Sequence, residues 1–370
     1  MKALVTGGAG FIGSHLTDAL LAAGHQVRVF DVLDPQVHPD GSKPKYLSKD
    51  VEFVKGDIRD IDALRRALKG QEAVFHYAAA VGVAQSQYKI KHYVDVNIGG
   101  TANLLDLLVN EKTSVKKVIV AVSQTGYGEG CYHCPNHGNV RSWSRSEEQL
   151  AKGIWEHLCP ECGAELSPIP TPETAAMKCS TIYAQTKRQQ EDMALTIGTT
   201  YNIPAVALRF FNVFGPRQSL SNPYTGVMAI FLSRLANGKP PVIYEDGLQT
   251  RDFVSVHNVV QASMLALENP AANYQAYNVG SGKPTTILEV ARTLARLTSN
   301  PIEPEILYKY RKGDTRHCTA DITKIRTELG YEPKVTFEEG LREFIEWAKD
   351  TTPEDKFEQA AKELAERGLV

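Results

Sequence analysis

Apolar residues recur along this chain in two alternating registers. Short, nearly unbroken apolar runs at residues 3–6, 27–30, 51–54, 73–76, 117–122 and 205–209 have the length and flanking turns of buried strands. Between them, residues 11–23, 61–68, 94–110 and 182–197 carry helical spacing, with Ile12, Leu16, Ala19 and Ala23 on one face of the first. Strand and helix alternating in this way predict an α/β fold with a doubly wound parallel sheet.

After Asn212 the rhythm loosens into segments broken by Gly215-Pro216, Asn222-Pro223, Gly238 to Pro241 and Gly280 to Pro284. The predicted organisation is therefore a nucleotide-binding domain at 1–212, interrupted by an insertion at 131–168. A smaller substrate domain follows at 213–350, some of whose segments return to the first core. Residues 351–370 close the chain as a charged amphipathic stretch, with Phe357, Ala360, Ala361 and Leu364 on one side, and read as a peripheral terminal helix.

Composition narrows the partners. The 41 Lys and Arg nearly balance 43 Asp and Glu, so no broad positive field recruits nucleic acid or an anionic membrane, and any nucleotide bound should be small. The longest apolar-rich run, 73–84, contains His76 and falls short of the ~20 residues a bilayer span needs. Met1-Lys2-Ala3-Leu4-Val5 leads straight to the first glycines with no signal-like leader, and a cytoplasmic protein is expected.

Thr6-Gly7-Gly8-Ala9-Gly10-Phe11-Ile12-Gly13 follows a predicted strand and opens a predicted helix. Gly7, Gly10 and Gly13 suit the tight turn and close backbone approach of a dinucleotide pyrophosphate site, with the helix N-terminus, Phe11 and Ile12 beneath it. Asp31 ends the second strand, where a carboxylate accepts hydrogen bonds from a ribose 2′-hydroxyl and repels a 2′-phosphate, favouring NAD over NADP. Asp57 and Ile58, after the third strand, fit the adenine side. The first domain thus reads as Rossmann-like.

Tyr183 and Lys187 are four apart on a predicted helix and so share a face. A free phenol, with pKa ~10, is a poor base at neutral pH. A neighbouring ammonium and a positive nicotinamide ring would stabilise the phenolate. Ser123 ends the fifth strand, at the sheet edge where open α/β folds bind ligands, and its hydroxyl can hold a reacting oxygen.

The order of glycine loop, strand-end Ser and Tyr-x3-Lys resembles the extended short-chain dehydrogenase/reductase superfamily, specifically its NAD-dependent epimerase/dehydratase family, over nearly the whole chain. The resemblance implies that Ala78, Ala79 and Asn97 lie beside NAD, together with Tyr183 and Lys187. It further implies a nucleoside-diphosphate sugar, UDP- or dTDP-linked, met by Gln124, Thr125, Asn212, Arg217, Arg251 and Arg316. Arginine suits the diphosphate because its planar fork grips phosphate oxygens in pairs. Of the segment Arg311-Lys312-Gly313-Asp314-Thr315-Arg316, this reading selects Arg316 as the phosphate ligand. Family members commonly form homodimers through helices matching 94–110 and 182–197.

Dehydratases of the family carry Thr-Asp-Glu where this chain has Ser123-Gln124-Thr125, and Gln and Thr are not ordinary acids or bases. Reductive 3,5-epimerases use a Cys near this place, whereas no Cys follows Ser123 until Cys131. The expected reaction is 4-epimerisation, which needs only reversible hydride transfer. A 4,6-dehydratase or a sugar-acid decarboxylase, sharing the first oxidation, is the rival enzyme; a non-catalytic NAD-sensing protein would not need Ser123, Tyr183 and Lys187 together.

Cys131-x2-Cys134 and Cys159-x2-Cys162 have the spacing of a four-cysteine zinc ribbon. His133 and His137 stand nearby as substitutes, but four thiolates already complete a tetrahedron. A closed shell implies a structural zinc, and the mixed charges of the insertion argue against nucleic acid. Because the insertion joins Ser123 to Tyr183, it is expected to pass over the active-site mouth and to shape sugar choice or a subunit contact.

Overall fold

The computed structural model describes residues 1–141, 144–224, 226–311 and 313–369. Lys312, in the arginine-rich segment, and Val370, at the end of the terminal stretch, lie outside the described residues. In chain order the strands are β1 (Lys2–Thr6), β2 (Gln26–Asp31), β3 (Glu52–Lys55), β4 (Ala73–His76) and β5 (Lys117–Ser123), then β6 (Cys131–Cys134), β7 (Gly138–Arg141) and β8 (Ser167–Ile169) in the insertion. There follow β9 (Ala205–Phe210), β10 (Asn212–Phe214), β11 (Val242–Ile243), β12 (Thr250–Ser255), β13 (Gln275–Val279) and β14 (Pro284–Thr286).

Seven of these form one parallel sheet in the order β13-β9-β5-β4-β1-β2-β3. Six match the apolar runs. The seventh, β13, pairs only with β9 at the edge, and its Asn278 faces polar partners: its amide donates to the carbonyls of Thr171 and Asp321. Tyr277, Asn278 and Val279 are fully buried, but Gln275 and Asn278 interrupt the apolar run, which is why the pattern did not mark it.

The remaining strands read as continuous because both faces are covered. Ile119 and Ala121 of β5 join a core with Val5, Leu16, Leu20 and Val259. Val118, Val120 and Val122 point the other way, to Leu4, Leu64, Leu104 and Leu108. The helix Val256–Glu268 and β13 lie beyond residue 212 but pack into the first core, which Val259, Ala266, Tyr277 and Val279 share. A separate core of Phe214, Leu232, Phe253, Leu294, Leu341 and Phe344 organises the smaller lobe around β10, β12 and β14.

The insertion forms its own antiparallel sheet, β7-β6-β8, over a small cluster of Tyr132, Cys134, Cys159 and Leu166. The terminal helix Phe357–Glu366 is amphipathic and docks through buried Ala360 and Leu364. Its Glu363 accepts a hydrogen bond from Tyr224 at 2.6 Å. No helix among the described residues is long and apolar enough to cross a membrane.

Candidate active site

The glycine loop lies between β1 and the helix Phe11–Ala22. Gly7 has φ +70°, and a Cβ there would sit 2.7 Å from the Ala78 amide nitrogen; at Gly13 it would sit 2.2 Å from the Gly7 carbonyl. Only glycine permits both the left-handed turn and this close approach. Asp31 ends β2 beside the loop, its carboxylate accepting from the amides of Ala9 (3.0 Å) and Leu33 (2.9 Å). Asp57 is gripped by Arg59 next door, and Ile58 is buried beneath. Asn97 is fully buried in a π-helical turn, Val94–Gly99, a distortion frequent at functional sites. Its side chain holds both backbone groups of Ala80 (2.7 and 3.1 Å) and bonds Thr186 on the next helix, so it fixes the Ala78–Ala79 loop.

That next helix, Ile182–Tyr201, is started by Thr181, whose hydroxyl accepts from the Ala184 amide, and stopped by Asn202 in the left-handed conformation. It presents Tyr183 and Lys187, both buried, to the end of β5. The Ser123 hydroxyl accepts from the Thr125 amide (3.2 Å) and hydroxyl (3.0 Å), which leaves its own proton for the Tyr183 oxygen. Burial pushes the Tyr183 phenol up to about 12, and the bond from Ser123 works against that rise. Desolvation brings Lys187 down to about 7, with its Nζ donating to the Ala121 carbonyl (2.7 Å) and to Gln190 (2.8 Å). The sequence expectation of a phenol lowered by its neighbour is thus not met by the protein alone, because the positive ring belongs to the cofactor. Arg209 of β9, absent from the sequence reading as an actor, ties the catalytic helix to the sheet through Glu191 (2.6 Å) and reaches the Tyr127 hydroxyl (2.7 Å).

The segment after the Ser123 turn, from Tyr127 onward, enters the wall of a cavity of about 450 Å³ that Ser123, Tyr183 and Lys187 do not themselves line. It is bounded by Tyr127 and Gly128 after the Ser123 turn, by Ser180 before Tyr183, by Cys131, Asn139 and Arg145 of the insertion, and by Arg311, Asp314 and Thr315. Gln124 and Asn212 each bury a side-chain oxygen that finds no hydrogen-bond partner among the described residues.

The substrate arginines differ from expectation. Arg316 is fully buried and spends its guanidinium on Glu156, Glu245 and Asp246, so it is not a phosphate ligand. The member of that segment that lines the cavity is Arg311, 42% exposed, stacked on Tyr244 and paired with Asp314. Arg251 donates to the carbonyls of Thr250, Thr315 and Arg316, bracing the wall behind Arg311. Arg217 lies on the cofactor side, where it pairs with Asp18 and stacks on Tyr46. Thr125 serves Ser123. Spacing could not separate Arg311 from Arg316, since both carry the same charge five residues apart.

The predicted metal set also needs one change. Cys134, Cys159 and Cys162 converge, but with His137 rather than Cys131, all four ligating atoms within 4.8 Å of one another. Cys131 and Cys134 are three apart on β6, so their side chains leave opposite faces, and Cys131 borders the cavity instead. The signal was present in the sequence: Cys134-Pro135-Asn136-His137-Gly138 and Cys159-Pro160-Glu161-Cys162-Gly163 are two copies of one knuckle, with Gly138 and Gly163 both at φ +71°. Burial opposes the Cys159 thiolate, yet the amides of Cys162 and Glu161 and the His137 ring hold it at about 6.

The NAD-dependent epimerase/dehydratase family model matches residues 3–150 and 158–280. A dTDP-L-rhamnose 4-epimerase of Burkholderia thailandensis is 34% identical, the alignment covering 94% of each chain. The structure of the Thermotoga maritima UDP-glucose 4-epimerase with UDP-glucose is 32% identical, with a TM-score of 0.77, over 94% of this chain and 99% of that one. That of the Thermus thermophilus UDP-glucose 4-epimerase in complex with NAD is 30% identical, with a TM-score of 0.74, over 95% and 100%. With the glycine cradle, Asp31 and the Ser123–Tyr183–Lys187 constellation arranged as described, the chain belongs to the NAD-dependent epimerase/dehydratase family.

Proposed function

We propose that this enzyme inverts C4 of a pyrimidine nucleoside-diphosphate sugar, UDP- or dTDP-linked, through a transient 4-keto sugar. The observation that carries the reading is the hydrogen-bonded pair of half-buried Ser123 and buried Tyr183, with Lys187 one turn away, at the sheet edge. The two residues after Ser123 are Gln124 and Thr125, neither an ordinary acid or base for expelling water.

The residues present fit NAD: two glycines with no room for a Cβ, the helix N-terminus, and Asp31 at the ribose position. When bound there, NAD supplies a reversible acceptor for the hydride of C4. Tyr183 takes the proton of the 4-hydroxyl and, once the 4-keto sugar has turned its other face to the cofactor side so that the hydride would return there, gives the proton back to the 4-oxygen, which Ser123 holds. Lys187, buried and adjacent, favours the phenolate whenever it is charged. Arg311 anchors the diphosphate and leaves the sugar free to rotate.

The metal cluster fits zinc. With Zn–S of about 2.3 Å and Zn–N of about 2.0 Å, a tetrahedron has edges of about 3.5 to 3.8 Å. The Cys134–Cys162, Cys134–His137 and Cys159–His137 separations are 3.7, 3.6 and 3.4 Å. A closed four-ligand shell assigns the ion to structure. The exposed apolar residues Ile90 and Val94, beside the helix Gly100–Asn110, support a homodimer on that side, and the metal-type Cys-x2-Cys spacing, usual in reducing compartments, supports cytoplasmic residence.

Incubation with a panel of UDP-, dTDP- and GDP-linked sugars without added cofactor, read by product NMR, tests the reaction. The expected product is the C4 epimer of a UDP- or dTDP-sugar. Loss of water or of carbon dioxide would move the enzyme to a dehydratase or decarboxylase.

A further inference from the structure

The metal centre and the cavity are joined by a line of charged side chains whose middle members, Arg316, Glu245 and Arg145, are buried. Glu156 lies three residues before the ligand Cys159, and its carboxylate accepts from the Arg316 Nε at 3.0 Å and pairs with His317 at 2.9 Å. Arg316 in turn donates to Glu245 at 3.0 Å and to Asp246 at 2.7 Å. The two oxygens of Glu245 are shared with Arg145 of the insertion, at 2.8 and 3.0 Å. Arg145 donates onward to the Asp314 carbonyl at 3.1 Å, and the Asp314 carboxylate positions Arg311 at 2.8 Å. Side-chain exposure is 1% at Arg316, 2% at Arg145 and 4% at Glu245, against 25% at Glu156, so the middle of the line is shielded from water while its metal-side end is partly open to it.

This line crosses between two parts of the chain whose apolar clusters, among the described residues, are separate. The insertion contributes Arg145 and Glu156; the smaller lobe contributes Glu245, Asp246, Arg311 and Arg316. The insertion's own apolar cluster is small, Tyr132, Cys134, Cys159 and Leu166, and two of its four members are metal ligands. Without the ion those thiols lose their common centre, and the segment from Glu156 to Cys162 loses its anchor. Arg316 is then left buried with one counter-charge fewer, a state a protein interior relieves by rearranging. What lies at the other end of that rearrangement is the wall of the cavity.

We propose that the zinc-bound insertion is a structural effector of the substrate cavity: metal occupancy, relayed through Glu156, Arg316, Glu245 and Arg145, positions Arg311 and sets affinity for the nucleoside diphosphate. The glycine loop and the Ser123–Tyr183–Lys187 set supply no member of the relay. Arg145 and Glu156 are positioning residues. The inference rests on the 4-epimerase reading of the cavity and adds to it a metal dependence of KM.

The test uses the full-length protein with its zinc, the same protein after chelation, and the variant Glu156→Gln, which keeps every metal ligand. UDP and dTDP binding is measured by calorimetry, zinc by stoichiometry, retained NAD by absorbance, and kcat and KM on the sugar nucleotide that turns over. Chelation is expected to weaken nucleoside-diphosphate binding at least tenfold with NAD retained and kcat within twofold. Glu156→Gln should reproduce the rise in KM with one zinc still bound per chain. An unchanged dissociation constant in either preparation overturns the relay, as does loss of NAD in parallel with loss of diphosphate binding. Failure of the untreated protein to bind either nucleotide instead overturns the reading of the cavity on which the relay depends.

Discussion

The cofactor side and the insertion side of this molecule use buried charge in opposite ways. At Tyr183 and Lys187 charge is buried short of partners: Lys187 meets one carbonyl and one amide oxygen, and its pKa falls to about 7. At Arg316 charge is buried with a surplus of partners, three carboxylates around one guanidinium, which holds the arginine firmly ionised. Underpaired burial makes a group ready to exchange a proton; overpaired burial makes a rivet. The contrast separates chemistry from architecture without reference to any relative.

The largest effect expected is at Tyr183. Tyr183→Phe keeps the ring and its edge-to-face contact with Tyr93 but removes the proton carrier, and kcat should fall by about 10³-fold or more while NAD stays bound. Stopped-flow turnover with parallel cofactor absorbance checks it.

Next is a gain. Lys187 has a folded pKa of about 7 against 10.5 unfolded, so the unfolded chain binds the extra proton between those values. The burial penalty is greatest at and below about pH 7 and fades as pH rises to about 10.5. Lys187→Met should therefore inactivate the enzyme yet stabilise the NAD-free protein near neutrality by on the order of 2 kcal/mol, after allowance for two acceptors left unpaired, and not at pH 10. Urea unfolding at both pH values decides it; a loss of stability at pH 7 would break the contrast with Arg316.

At Arg316 the sign reverses. Arg316→Met strands three carboxylates and should cost about 3 kcal/mol or more at neutral pH. Arg311→Ala, by comparison, should leave the melting temperature nearly unchanged and raise KM about tenfold, since its side chain is 42% exposed and faces the cavity. Smallest of all, Cys131→Ser should leave one zinc per chain, whereas Cys162→Ser should abolish it; metal analysis of the two proteins distinguishes the ligand set from the four-cysteine alternative.

The same two regions differ in how much the sequence discloses. Gly7, Gly13, Asp31, Ser123, Tyr183 and Lys187 are placed by local geometry, the end of a strand, the start of a helix, or one helical turn, so their positions were legible before any tertiary contact was known. Arg311 against Arg316, and His137 against Cys131, are choices made by tertiary packing and strand alternation. For the arginines nothing in the spacing decides. For the metal ligands the repeated Cys-Pro-x-Cys/His-Gly knuckle did decide, and counting cysteines alone concealed it. The edge strand β13 was missed for a related reason, because its polar residues are satisfied by loops distant in sequence.

The central claim is that the C4 hydride is removed and returned within one turnover. It is tested most directly by running the reaction on a nucleoside-diphosphate sugar deuterated at C4, in ordinary water and with no added cofactor. The account predicts that the inverted product keeps its deuterium at C4, and that unlabelled substrate turned over in heavy water gains no deuterium at C3, C4 or C5. Loss of the C4 label to ordinary water, or deuterium entering from heavy water during inversion, would contradict it.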